Sequence, residues 1–446
     1  QQWGADHGLE IDALNVEGVE IKKGVGAIEY GSDAIGGVIE IINDRVPEKG
    51  LTGEVIGFAK SVNNTLAAST NLSYRKDKFF YKIKATATEF GDYNVPTDNI
   101  IYLSRNIPIF NERLKNTAGK ENNLYAQLGY FGEQYKGSLS FSNVYFKSGF
   151  FPGAHGVPSI NRVQDDGDQR NIDYPFQRVN HFKILNKNEW FFSNSSLSLN
   201  LGFQNNHRQE WSRFHTHYSG QQPADVNPDL ELDFNLNTWD AQVKFSKTFS
   251  EEHETEVGLQ TQHQNNNIAG FNFLLPEYDR TNYAAFFIHK WQATQNTQFS
   301  LGGRFDISRM QIEEAYDPNL YDYLIRRGLP DVKAQDYALR SEGGTRNFRN
   351  FNLMAGALFN LDNNWDLSFN TGSSFRLPTA IELGANGIHH GSFRHERGDF
   401  NLSSEQGYVL DAALNYRKNS WKLGLSPYVY YFENYIFLNP SGQFSI

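Results

Sequence analysis

Val16-Glu17-Gly18-Val19-Glu20-Ile21-Lys22-Lys23-Gly24 runs into Val25-Gly26-Ala27-Ile28-Glu29-Tyr30-Gly31-Ser32-Asp33, and then Ala34-Ile35-Gly36-Gly37-Val38-Ile39-Glu40-Ile41-Ile42-Asn43. Two short alternating segments, Val19–Lys22 and Val38–Ile42, bracket a glycine-rich turn. Val19, Ile21, Val38 and Ile42 share one side, with Glu20, Lys22 and Glu40 interspersed. The glycines suit a backbone that turns sharply or approaches another chain segment closely. Asp44-Arg45-Val46-Pro47-Glu48-Lys49-Gly50 follows, a polar linker that sets the expected boundary between a domain over 1–46 and another over 51–446.

From Leu51 onward the pattern is monotonous. Segments of alternating polarity succeed one another, most of them longer than the roughly 10 residues that cross a bilayer as a strand. Leu197, Leu199, Leu201 and Phe203 alternate with Ser198, Asn200, Gly202 and Gln204. Phe351, Leu353, Ala355, Ala357 and Phe359 oppose Asn350, Asn352, Gly356 and Asn360. About fifteen such strands can be counted, the last of them over 420–438. Connections after even-numbered strands are short, as at Lys76-Asp77-Lys78, Gly132-Glu133-Gln134 and Lys418-Asn419. Those after odd-numbered strands, from the third, are long: 91–120, 149–176, 214–235, 268–280, 313–346 and 377–402. A soluble sandwich has no reason to keep that parity. A transmembrane β-barrel does, with tight turns at one end and long loops at the other. Trp291, Trp365 and Trp421 lie beside short turns, where an interfacial girdle belongs.

Composition agrees. The 446 residues include no Cys, which removes disulfides, thiolate metal sites and cysteine nucleophiles. Aromatic residues make up 15% of the chain, and mean hydropathy is −0.57. No run approaches the ~18 apolar residues of a membrane helix, but alternating strands hide from that test. A net charge of −10 argues against nucleic acid as a partner.

The opening stretch resembles the last part of the plug domain of TonB-dependent outer-membrane transporters, whose pattern is close to V-E-x-x-K-G-P-x-x-x-x-Y-G-S-x-A-x-G-G-V-I-x-I. Gly24, Tyr30, Gly31, Ser32, Gly36 and Gly37 carry the match, and Val25 departs from it where the family has proline. Gln1-Gln2-Trp3-Gly4-Ala5-Asp6-His7-Gly8 is similar to the plug of Bacteroidetes-type members. Leu301-Gly302-Gly303-Arg304-Phe305-Asp306, Asn206-His207-Arg208-Gln209-Glu210 and Ser374-Phe375-Arg376-Leu377-Pro378-Thr379 are similar to recurring barrel segments. The resemblance implies an all-β transmembrane antiparallel barrel carrying the C-terminal part of a plug. It implies active import of a scarce, bulky nutrient, foremost a metal chelate of siderophore type, across a Gram-negative outer membrane. TonB and its inner-membrane motor, outer-membrane lipid and the nutrient are the implied partners, with no cofactor. A passive porin, or import of cobalamin, peptide or oligosaccharide, is the alternative. Family barrels have about 22 strands, and a secreted barrel needs a signal peptide. The chain is therefore expected to be a fragment, forming an open sheet with residues 19–42 against its first four strands.

No catalytic constellation stands out, so an enzyme is not expected. The candidate ligand residues are His389, His390, Arg394 and His395 in the loop 377–402, with His215 and His217 in the loop after Trp211. Imidazole suits a metal and guanidinium an anionic chelate, and ordinary solvated loop residues are the alternative. Asp165, Asp166 and Asp168 miss calcium-loop spacing and read as a solvated acidic loop. Arg304, Asp306, Arg376, Asp411 and Arg417 are expected to face the lumen, since charge toward lipid costs roughly 2–4 kcal/mol at mid-membrane. Glu20, Lys22 and Glu40 are their expected plug partners.

Overall fold

A computed structural model of the protein describes residues 10–23, 28–32, 34–35, 37–102, 104–152, 160–389 and 394–442. Alternation dictates the architecture: a sheet of 16 antiparallel strands whose neighbours follow chain order. This wall begins at Gly50–Lys60 and passes through Thr65–Lys76 and Phe79–Phe90. It ends at Glu405–Lys418, which pairs with both Trp421–Leu425 and Tyr428–Asn434. The first and last wall strands do not pair with each other, so the sheet is open, as expected. Short turns use residues that tolerate positive φ, such as Asp77 at 51° and Asn419 at 53°.

Two sequence expectations need correction. The segment 420–438 is not one strand, because Pro427 lacks the N–H a ladder requires and splits it after Leu425. Several strands also outrun their expected ends. Leu230–Thr248, Tyr278–Thr294, Thr297–Tyr316 and Leu339–Asn360 extend well into segments read as loop. Toward the long loops the outward face turns polar, as at Asn235 and Asn237, while Phe234 and Leu236 face inward, so the alternation reverses its sense and the backbone ladder continues.

The glycine-rich stretch forms a separate hairpin outside the wall ladder. Its strands β1 (Gly18–Lys23) and β2 (Gly37–Ile42) pair in register from Gly18 opposite Ile42 to Lys23 opposite Gly37. Its contacts reach much further than four strands. They run from Lys82 and Lys84 on the third wall strand to Ser374 on the thirteenth.

The long connections also fold. Helices Pro318–Arg326 and Asp331–Ala338 occupy 313–346, and Asp317 caps the first through Leu320 N–H. Leu274 and Leu275 from the 268–280 connection, with Ile381 and Leu383 from 377–402, cover Leu232, Phe234, Met310 and Phe348 on the wall. This is the main apolar cluster among the described residues, and it fixes two connections against the wall's long-loop end.

Leu275 is fully buried there. Leu275→Ala should cost roughly 2–5 kcal/mol by leaving a cavity, a loss confined to the connections. Hydrogen exchange should quicken at Phe271 and Asn272, whose amides donate to Leu230 and Glu231 carbonyls. Unchanged exchange there would show that the cluster does not hold them.

Candidate functional site

The hairpin tip meets the wall at Arg304. Alternation along Thr297–Tyr316 aims Arg304 and Asp306 at the face that carries residues 10–45, and both are buried. The guanidinium donates from Nη1 to the carbonyls of Ile28 at 3.3 Å and Glu29 at 3.0 Å. The same nitrogen donates to Gln260 Oε1 at 2.7 Å, and Gln260 Nε2 donates back to the Glu29 carbonyl. Asp306 accepts from Nε at 2.8 Å and from Nη2 at 2.9 Å. Gly31 lies under this fork with φ at 82°, and a Cβ there would sit 2.6 Å from Nη2. Only glycine combines that φ with that approach.

The rest of the tip is tied in turn. The Leu377 amide donates to Ser32 Oγ at 3.2 Å, and Ser374 Oγ donates to the Ile35 carbonyl at 3.2 Å. Tyr30 is held by the hairpin itself. Lys22 pairs with Glu40 at 2.9 Å, donates to the Tyr30 hydroxyl and lies over its ring. The Lys22 ammonium holds the Glu40 carboxyl below its usual range. Lys22 and Glu40 thus pair chiefly with each other, the wall's Lys187 adding to the pull on Glu40, and Glu20 stands opposite Glu40 in the hairpin register. Gly24 and Gly36 lie outside the described residues; Gly37 closes the hairpin register against Lys23.

Other carboxylates reach the wall. Glu17 pairs with Lys82 at 2.7 Å and Lys84 at 2.9 Å. Glu29 pairs with Lys244 at 3.1 Å, Asp44 with Lys187 at 2.7 Å and Glu10 with Arg208 at 2.7 Å. Burial would raise Glu10, but the His181 hydrogen bond and the Arg208 charge outweigh it and hold the carboxyl low. These partners are not legible in the sequence, because nothing in a single segment says which wall lysine it will meet.

Arg376 links the tip to a long loop. It pairs with Glu405 at 2.5 Å and with Glu382 at 2.8 Å. Glu382 also closes the capping box with Thr379 that starts the helix Ala380–Gly384. Asp411 accepts from Asn370, and Arg417 pairs with Asp366 at 2.8 Å.

Beyond that helix, Asn386–His389 and Arg394–Arg397 form a small hairpin with Ile388 opposite His395. His395 Nε2 lies 2.9 Å from Asn386 Oδ1, and the Asn386 carbonyl accepts from Arg340. Burial lowers the His395 pKa, and Arg340 and Arg397 add to the effect, so the ring stays neutral and keeps a lone pair at neutral pH. His390 lies outside the described residues; the backbones of His389 and Arg394 pair in the hairpin. His215 and His217 rings stand 4.7 Å apart on a different loop. Among the described residues no three metal-ligating side chains come together. Asp165 and Asp166 cap neighbouring amides, and Asp166 pairs with Lys115.

The connection 268–280 ties both histidine loops together. Gln221 Nε2 donates to the Phe271 carbonyl at 2.9 Å, and the Asn386 amide donates to the Leu274 carbonyl at 3.2 Å. By alternation alone this connection reads as a plain loop, although Phe271-Asn272-Phe273-Leu274-Leu275-Pro276 is too apolar to be left in water.

A family model described as TonB dependent receptor-like, beta-barrel matches residues 111–446. The chain is similar to the FrpB iron transporter from Neisseria meningitidis at 15% identity and TM-score 0.65, covering 95% of this chain and 61% of that one. It is similar to the ferric yersiniabactin uptake receptor FyuA from Yersinia pestis at 14% identity and TM-score 0.62, covering 94% and 60%. A double mutant of the Serratia marcescens hemophore receptor HasR, solved with its hemophore HasA and heme, gives 14% and 0.66, covering 95% and 61%. At such identities the likeness is one of fold. The chain spans about three fifths of each of these structures.

Two outcomes test the junction. Arg304→Met leaves Asp306 buried without its cation, a change that costs roughly 3–5 kcal/mol. Limited proteolysis should then cut within 10–45 faster while the wall stays resistant; equal cutting would discount the junction. The second is acid dependence. A carboxyl held low contributes stability above its ordinary value, about 4.5 for Glu40, and loses it as pH falls through the lowered value. Amide protection in β1 and β2 should hold at neutral pH and fall on acidification below that range, and Glu40→Gln should flatten the profile.

Proposed function

The chain belongs to the TonB-dependent receptor family, and on that premise we propose that it forms a section of an outer-membrane importer for a scarce, bulky nutrient, foremost a metal chelate. The family is one of transporters and receptors, not enzymes. One observation carries the reading. The hairpin tip hydrogen-bonds Leu377, the first residue of the connection that bears His389, His390 and His395. A ligand on that loop therefore acts on a connection whose root is hydrogen-bonded to the segment lying on the wall's inner face.

The proposed sequence of events follows from those contacts. Ligand docks on the loops 212–229 and 377–402, which the 268–280 connection joins. Neutral His395 suits a metal, and Arg394 and Arg397 suit an anionic chelate. Binding shifts the root of the loop, where Arg376 holds Glu382 and Glu405. The outer membrane holds no ATP, so work enters mechanically, through TonB pulling a segment N-terminal to the hairpin. The plug segment then leaves the wall at its ion pairs and at Arg304.

In the full-length protein, replacing His389, His390 and His395 with alanine should lower uptake of at least one radiolabelled iron, copper or zinc source by roughly tenfold or more. Unchanged uptake of all three at normal surface expression would remove the loop from the mechanism.

A further inference from the structure

The small hairpin of the 377–402 connection has two unlike faces. Directly opposed residues of an antiparallel pair share a face, and so do residues two apart. Asn386 stands opposite Arg397 and Ile388 opposite His395, so these four lie together. Gly387 and Glu396 stand opposite each other on the other face, and both are buried. That face lies against the 268–280 connection, where a Cβ on Gly387 would sit 1.8 Å from the Phe273 carbonyl. Ile388, His395 and Arg397 are exposed. The His395 ring is thus offered away from the connection that carries the hairpin.

Asn386 is the fixed point of the exposed face. Its backbone N–H donates to the Leu274 carbonyl at 3.2 Å, and its own carbonyl accepts from the Arg340 guanidinium. Its Nδ2 donates to the Leu339 carbonyl at 3.2 Å, and its Oδ1 lies 2.9 Å from His395 Nε2. Every polar group of the residue is therefore engaged. These contacts also decide where the ring proton sits. The Leu339 carbonyl only accepts, so the atom facing it is the amide nitrogen. The other atom, Oδ1, only accepts as well, so His395 Nε2 must carry the hydrogen. A neutral imidazole has one ring N–H, which leaves the lone pair on Nδ1. Among the described residues no group bonds Nδ1.

We propose that Asn386 positions His395 so that Nδ1 is the atom that bonds the metal of the nutrient, in a complex that keeps a coordination position open. A metal-bound imidazole donates its other N–H to a carbonyl, carboxylate or water, which fixes its tautomer and direction. Asn386 makes that bond before any metal arrives. Its ties to Leu274, Leu339 and Arg340 keep it from following the ring. The surroundings select the metal species too. Arg397 shares the face and Arg340 holds Asn386, so a bare cation meets two guanidiniums. The ion pair of Arg397 with Asp336, at 3.5 Å, is exposed and weak. An anionic complex suits those cations, and an open position lets imidazole reach the metal. A chelate that fills every position offers nothing to Nδ1. This inference rests on the metal-chelate reading of the loop.

The probe is zinc nitrilotriacetate, an anionic complex with open positions, and zinc EDTA, which has none, is the control. Full-length protein with isotope-labelled histidine is observed by nitrogen NMR in micelles, and the H395Q spectrum identifies the His395 signals. Without the probe, Nε2 should carry the proton. On addition of zinc nitrilotriacetate the Nδ1 signal should move while the Nε2–H remains, and zinc EDTA should move neither. N386L should weaken the response by about tenfold or more. I388A, on the same face, should leave it unchanged. Amide exchange at Gly398, which donates to the Ala385 carbonyl, reports whether each variant keeps the hairpin. A proton on Nδ1, movement of Nε2 in its place, or a wild-type response from N386L would overturn the proposal. The wild-type spectra decide the donor atom even if N386L opens the hairpin. Uptake is scored separately. A shift at Nδ1 with unchanged uptake in the triple alanine protein would overturn the transport reading and leave this site standing. No shift, with uptake lowered, would overturn this proposal and leave that reading standing.

Discussion

In hydrocarbon no water is at hand to satisfy a peptide group, so every N–H and C=O of a spanning strand must find its partner in the next strand. That single constraint fixes the wall. The ladder between Thr297–Tyr316 and Leu339–Asn360 holds register to its one irregularity at Ala315 and Tyr316. With the backbone committed, polarity can vary only between the two faces. Exposed apolar side chains take one face, and Lys82, Lys84, Arg208, Lys244 and Arg304 collect on the other, which turns apolar only toward the long loops at Met310 and Ile312. Buried cations of that number demand counter-charge. Residues 10–45 provide it, through Glu10, Glu17, Glu29 and Asp44 and through the carbonyls of Ile28 and Glu29. The hairpin is held chiefly by the polar demand of the wall, since Ile21 and Ile39 are exposed.

Such an attachment differs from a packed apolar core. Apolar surfaces separate gradually, whereas a guanidinium fork is either seated or not. Gly31 shows how close the seat is: one added carbon would collide with Nη2 of Arg304. Ser32 and Ile35 extend the seat to Leu377 and Ser374. Arg376, between those two, holds Glu382 and Glu405. One short run of the wall thus positions both the tip and the root of a loop.

Strand existence and order were legible because alternation is a direct consequence of a two-faced sheet. Val19–Lys22 and Val38–Ile42 were legible as a pair, but not their faces: the register sets Val19 opposite Ile41 and Ile21 opposite Ile39, so Val38 and Ile42 lie on the other side. Strand ends were not legible. At Asn235 and Asn347 the outward face turns polar while Phe234, Leu236 and Phe348 face inward, so the alternation changes its sense and the ladder goes on past the apparent end. The pairing of Glu17 with Lys82 and Lys84 was hidden because it depends on how the whole wall stands around the hairpin. Lys22 and Glu40 looked equally able to reach the wall, but cross-strand neighbours in a hairpin meet first. The helices after Asp317 escape sequence reading because they are short and lie inside a segment with the composition of a loop.

The hairpin's polarity has a mechanical meaning. Its two chain exits, at Glu17 and Asn43, lie at the same end, closed by the Glu17 amide on the Ile42 carbonyl. A force entering before Glu17 and resisted beyond Asp44 would load that end alone. Hydrogen bonds of a ladder gripped in this way break in succession, as in a zipper, and each contributes only about 1 kcal/mol. Gripped at opposite ends, the same six residue pairs would share the load in shear and resist together. The chain's path therefore makes β1 peelable from β2 under modest tension, leaving the Arg304 fork, at the far end, as the last point to let go.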